Sequence, residues 1–167
     1  MAKGPRYSVP FRRRRQGKTD YRLRSRLLLS RRPRLVVRGS LKHITVQLSK
    51  AKVDGDEVLA SAHSRQLLKE YAWVGPCGNL PAAYLTGLLC GYRAANLGVK
   101  EAMLDIGLQL PSKGARIFAV LKGFIDAGID VPHGEAVLPD EERIKGGHIA
   151  TYASELASSN KELYTQV

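Results

Sequence analysis

The side chains best equipped for chemistry in this chain of 167 residues are arginines, and they crowd at one end. Residues 1–34 hold Lys3, Arg6, Arg12, Arg13, Arg14, Arg15, Lys18, Arg22, Arg24, Arg26, Arg31, Arg32 and Arg34 against a single acid, Asp20. That excess equals the formal charge of the whole chain, +12, so the remainder is neutral. A guanidinium grips phosphate oxygens through a planar fork and stacks on bases; an ammonium is only a point charge. Tyr7, Phe11 and Tyr21 lie among these arginines, and aromatic rings offer stacking faces to unpaired RNA bases. A neutral globule with a cationic arm is the layout of a protein that docks on a polyanion, and the arginine bias points to RNA. The plain alternative is a solvated charge run in a disordered tail.

Other chemistry is poorly supplied. His43, His63, His133 and His148 are scattered singly without i, i+4 spacing, so each reads as a strand, turn or surface residue and not as a metal ligand. Cys77 and Cys90 lack a C-x-x-C pattern and read as ordinary thiols of a reducing compartment. No phosphate-cradling glycine loop and no nucleophile elbow appears. A metal-dependent nuclease needs clustered strand carboxylates. The strand-like runs hold no acid before Glu57, and Asp105, beside Glu101, is the only carboxylate well inside a buried strand. One such acid cannot hold two cations; its expected role is a hydrogen-bonded carboxylate facing a helix N-terminus. A DNA-binding or nucleoid protein is a further alternative, but no helix-turn-helix or zinc-finger spacing is present. The sequence therefore predicts no enzyme, no cofactor and no metal.

The elements that must hold the arginines follow from periodicity. Residues 1–18 have no apolar repeat, and Pro5 and Pro10 favour open backbone, so they read as an extended arm. Thr19 suits a helix N-cap, with Asp20 in the first turn. Over 20–31, Leu23 and Leu27 form a narrow stripe that can rest on the globule while Arg22, Arg24, Arg26 and Arg31 flank it. Pro33 ends this helix. Three strands follow over 35–38, 42–48 and 58–62; Ile44, Val46 and Leu48 alternate with His43, Thr45 and Gln47, and Asp54-Gly55-Asp56 supplies a turn. They read as an antiparallel meander.

Residues 64–71 are a short helical piece. Residues 71–92 carry no charge, yet Gly75, Pro76, Gly78 and Pro81 leave only about a dozen apolar residues before Arg93, short of the ~20 a membrane span needs. A buried helix over about 81–97 is expected, closed by Gly98 and able to approach a neighbour closely at Gly87 and Gly91. Residues 101–106 read as a buried strand. Ile117, Val120, Leu121, Phe124 and Ile125 put one apolar face on a helix at 114–127. A strand at 129–131 and a helix at 147–158 complete the reading. Leu27-Leu28-Leu29 is too short for the apolar core of a secretory signal. The expected fold class is α/β with a mixed sheet: 1–33 a basic arm and helix, 34–145 the globular domain, 146–167 a C-terminal helix and tail.

Several segments carry a resemblance. They are the basic opening through Arg15, Lys18-Thr19-Asp20-Tyr21, Arg34-Leu35-Val36-Val37-Arg38, residues 80–89 (LPAAYLTGLL), Leu104-Asp105-Ile106-Gly107-Leu108 and Val131-Pro132-His133-Gly134-Glu135. In this order, over almost the whole chain, they resemble the archaeal branch of the large-ribosomal-subunit protein eighteen family, whose eukaryotic counterpart is the larger 5S rRNA-binding protein. The resemblance implies a cytoplasmic ribosomal protein that binds 5S rRNA and helps attach it to 23S rRNA. It also implies a place in the central protuberance beside other large-subunit proteins, and the three-layer fold of translational-machinery components, of ribonuclease H-like type. By the same resemblance the RNA contacts fall on Lys3, Arg6, Tyr7, Phe11, Arg12, Arg13, Arg14, Arg15, Lys18, Thr19, Tyr21, Arg22, Arg24 and Arg26. The loop Gly75-Pro76-Cys77-Gly78-Asn79 departs from the family's usual Gly-Leu-Thr-Asn-like turn.

Overall fold

In the computed structural model, which describes residues 4–159, two arm helices, α1 (Arg12–Arg15) and α2 (Tyr21–Leu29), precede a meander of β1 (Arg34–Gly39), β2 (Ile44–Lys52) and β3 (Gly55–His63). There follow α3 (Arg65–Glu70), α4 (Leu80–Asn96), β4 (Met103–Asp105), α5 (Arg116–Asp126), α6 (Glu141–Lys145) and α7 (Gly147–Ser159). Lys3 and the polar tail after Ser159 lie outside the described residues.

The sheet order is β3-β2-β1-β4, antiparallel across the meander and parallel between β1 and β4, so the expected mixed α/β sheet is present. Strand alternation divides its two faces. Leu35 and Val37 of β1 and Ile44, Val46 and Leu48 of β2 are fully buried beneath α4 and α5. Arg34, Val36 and Arg38 and their cross-strand partners Ser49, Gln47 and Thr45 form the opposite face. The strip at 129–131 makes only an isolated parallel bridge, Glu101 with Asp130.

A bulge gives β3 a shape that alternation alone does not predict. Leu48 pairs with Ala60 but Ser49 pairs with Val58, leaving Leu59 as an extra residue. Because side chains alternate with period two, one extra residue inverts the facing of everything beyond it. Ala60 and Ala62 point into the core, whereas Val58 and Asp56 share the face of Arg34. Asp56 thus belongs to the strand, not to the expected turn.

On the apolar side α4 and α5 cross closely. A Cβ at Gly87 would collide with the Val120 carbonyl, and one at Gly123 with the Tyr84 carbonyl; Gly91 sits against Phe124 and Ala127. Ile117, Val120, Leu121 and Phe124 are buried as their spacing demands, and Ile125 packs against the core's edge. Gly98 and Gly128 take left-handed backbone just past the two helices (φ +75° and +94°), a conformation that favours glycine.

Candidate nucleic-acid interface

The arm is not wholly extended. Arg12–Arg15 form one helical turn, and Gly17 at φ +60° reverses the chain behind it. Arginine is a good helix former, and the turn is tied back at two points: Arg13 Nε donates to Thr19 Oγ1 at 2.8 Å, and the Phe11 and Tyr21 rings lie 5.1 Å apart, tilted by 44°. Thr19 is therefore not the cap of α2. Asp20 is, its carboxylate accepting from the Arg22 and Leu23 amides at 2.8 and 3.2 Å. Arg6, Arg12, Arg14, Arg15, Lys18, Arg22 and Arg26 are exposed and make no ion pair among the described residues. Tyr7 and Phe11 are exposed as well, while Tyr21 is half-buried.

Arg24, expected among the free arginines, is engaged. Its fork makes two bonds to Asp56, at 2.9 and 2.8 Å. This begins a ladder across the polar face of the sheet. Arg34 bridges Asp56 (2.6 Å) and Asp105 (2.8 Å), and Arg38 reaches the same Asp105 carboxylate at 3.0 Å and its carbonyl at 2.8 Å. Gly107 N–H adds a further bond to Asp105 Oδ1 at 2.9 Å. Arg34 is only 2% exposed, and its Nε is a sealed donor without a partner. The Arg24 hydrogen bond holds Asp56 below the ordinary carboxylate range, with Arg34 adding to the effect; reciprocally, Asp56 raises Arg24.

The ladder corrects two expectations from the sequence. Asp105 faces two guanidinium groups, not a helix N-terminus. Asp56 and Asp105 do converge as a nuclease's carboxylates would, but Arg34 lies between them and already satisfies the charge that a metal ion would need to balance. No metal-holding group of His, Cys, Asp and Glu occurs among the described residues.

The ladder also fixes how the arm sits. None of the residues of α2 is fully buried; Leu23 and Leu27, the expected stripe, are half-buried. They line a cleft of about 550 Å³ together with Val36 and Val58 of the sheet. Gln47, Ser49 and the ladder form its polar floor, with Arg13 and Lys18 at the arm side. Sequence reasoning missed the floor residues. Its one available signal was the alternation Arg34, Val36, Arg38 against Leu35, Val37.

Away from the arm, His43 and His63 are not isolated: His43, just before β2, meets His63 at the end of β3 with rings 5.2 Å apart. Desolvation, then His43 and Arg65, lower the pKa of His63. Cys77 and Cys90 are both buried and free, and burial pushes the Cys90 thiol up to about 12, so it is chemically inert. Among the described residues no helix is long and apolar enough to cross a membrane.

The comparisons with known proteins show the family. The family model described as ribosomal large subunit proteins 60S L5 and 50S L18 matches residues 5–103 and 96–134. The large ribosomal subunit protein uL18 of Aeropyrum pernix is 52% identical over 164 residues, covering 98% of this chain and 77% of its own. Its namesake from Staphylothermus marinus is 53% identical over 164 residues, covering 98% and 81%. With that identity sustained from the arginine arm through the last helix, the chain belongs to the family of ribosomal large-subunit proteins 60S L5 and 50S L18, and is a structural constituent of the large subunit and not an enzyme.

Proposed function

We propose that this constituent binds 5S rRNA and helps attach it to 23S rRNA in the central protuberance, beside neighbouring large-subunit proteins. The arm, residues 1–33, is the binding element; residues 34–145 are the body that positions it, and 146–167 a C-terminal extension. The body's fold is of the three-layer translational-machinery type. The observation that carries the reading is the arm's charge: seven described cations of the proposed site are exposed and make no ion pair among the described residues, while residues 35–167 carry no net charge. Phosphates concentrated in folded RNA supply the missing counter-charges, and release of their condensed cations drives association. Ordering an arm costs about 1–2 kcal/mol per residue, so many contacts must offset it. The structure lowers that cost by fixing α1 and α2 to one another.

The test is a binding titration with isolated 5S rRNA and with tRNA of similar size. The full chain should shift 5S rRNA and leave tRNA free at the same concentration and salt. Equal affinity for both would reduce the arm to a general polyanion binder and overturn the assignment.

A further inference from the structure

We propose that the cleft between α2 and the polar face of the sheet receives one unpaired nucleotide of the bound RNA; the inference rests on the RNA-binding reading above and gives it an address. Three observations carry it. The first is the standoff of α2. Its two stripe leucines are only half-buried, and the helix is tied to the sheet by the Arg24–Asp56 ion pair, leaving an open volume of about 550 Å³. Clefts that hold small ligands span roughly 300–1,000 Å³, so one nucleotide fits and a folded helix does not.

The second is the floor. Gln47 is half-buried and Ser49 only 4% exposed, and their side chains are unpartnered among the described residues. Both open onto the cleft, where a partner from outside can reach them; the sealed side-chain donor without a partner is Arg34 Nε. A primary amide offers a donor and an acceptor side by side on one edge, the complement of a base's hydrogen-bonding edge. Leu23, Leu27, Val36 and Val58 supply apolar walls against which the base's flat faces can lie.

The third is charge. Five cations and three carboxylates line the space, an excess of positive charge that suits an anion. Arg24, Arg34 and Arg38 are committed to the ladder, so the cations left for a phosphate are Lys18 and Arg13, whose Nε alone is used, by Thr19. Base on Gln47 and phosphate on Arg13 and Lys18 is the arrangement that satisfies every group named.

The test compares the full wild-type chain with Gln47→Ala and with the isosteric Gln47→Glu, which keeps shape but loses both amide donors. Thermal unfolding verifies that each variant is folded. Against 5S rRNA, Gln47→Ala should lose about tenfold in affinity with an unchanged salt slope, and Gln47→Glu more. Chemical probing of the RNA should show one unpaired base protected by wild type and reactive again with either variant. Arg13→Gln should instead flatten the salt slope by about one unit. Variants that bind within twofold of wild type with the same footprint would overturn the cleft while leaving RNA binding intact. Free mononucleotides that bind wild type but not Gln47→Ala, with an unchanged RNA footprint, would also overturn it, as the cleft would then serve a soluble ligand. A wild-type chain that fails to bind 5S rRNA would overturn both readings together.

Discussion

Arg34 shows how residue type and residue role can part company. By sequence it is the last cation of a basic arm; by structure it is a buried strand residue bridging two aspartates. Charge counting could not separate it from Arg31 or Arg32, since burial is a property of the sheet and not of the run. The parallel pairing that sets β4 beside β1 decides the matter, because it brings Asp105 opposite Val36, between Arg34 and Arg38. The energetics follow from desolvation. Two charges taken out of water recover the cost only while both are present, and removal of one leaves the other unpaired. Asp105→Asn should therefore destabilise the domain by about 3–5 kcal/mol, a heavier loss than any surface pair would show. Denaturant unfolding that shifts by less than about 1 kcal/mol would show the ladder to be energetically idle.

At the scale of elements, hydrophobic period was a sufficient guide wherever burial is one-sided. The five apolar positions of α5 and the alternation of β2 are placed as their spacing requires, and the small residues of α4 let it approach α5. It failed where polar chemistry decides. The bulge at Leu59, the ion-pair attachment of α2 and the single turn of four arginines have no apolar signature. The attachment gives a prediction in which two effects oppose. Removing an acid near an RNA-binding arm should tighten binding by simple electrostatics. If Arg24–Asp56 instead fixes α2 so that Arg22 and Arg26 present a set geometry, Asp56→Ala should weaken 5S rRNA binding about three- to tenfold. It should also raise hydrogen exchange over residues 21–29 while the sheet amides stay protected. Tighter binding would refute the docking role. The pH dependence has a definite sign, because Asp56 is held below its ordinary value of 3.8. Its contribution is complete above that value and is lost as pH falls through the lower folded one. Protection of α2 in the wild type should persist to about pH 4 and fade only below it, and in Asp56→Ala it should be weak at every pH.

For the molecule as a whole, the division of labour is between a body without net charge and an arm rich in cations. Of the thirteen cations in residues 1–34, Arg24, Arg32 and Arg34 have carboxylate partners on the body, at Asp56, Glu101 and both Asp56 and Asp105. Those three are spent internally, so the charge facing RNA is smaller than the sequence suggests and lies mainly before residue 27. If about eight cations neutralise phosphates, log affinity should fall against log salt with a slope of roughly −5 to −7. Replacing Arg12, Arg13, Arg14 and Arg15 by Gln should flatten that slope by about three units, since all four are exposed. Tyr7 and Phe11 should act differently. Their exposed rings offer stacking worth about 1–3 kcal/mol per base and insensitive to salt, so Ala at both positions should weaken binding at constant slope. Deleting residues 1–18 removes both terms and touches no core position, so binding should collapse while thermal unfolding barely moves. The slope of the arginine variant is the decisive reading. Were it to match wild type, those four arginines would be a solvated run, and the contacts that hold the RNA would have to lie on α2 and the body.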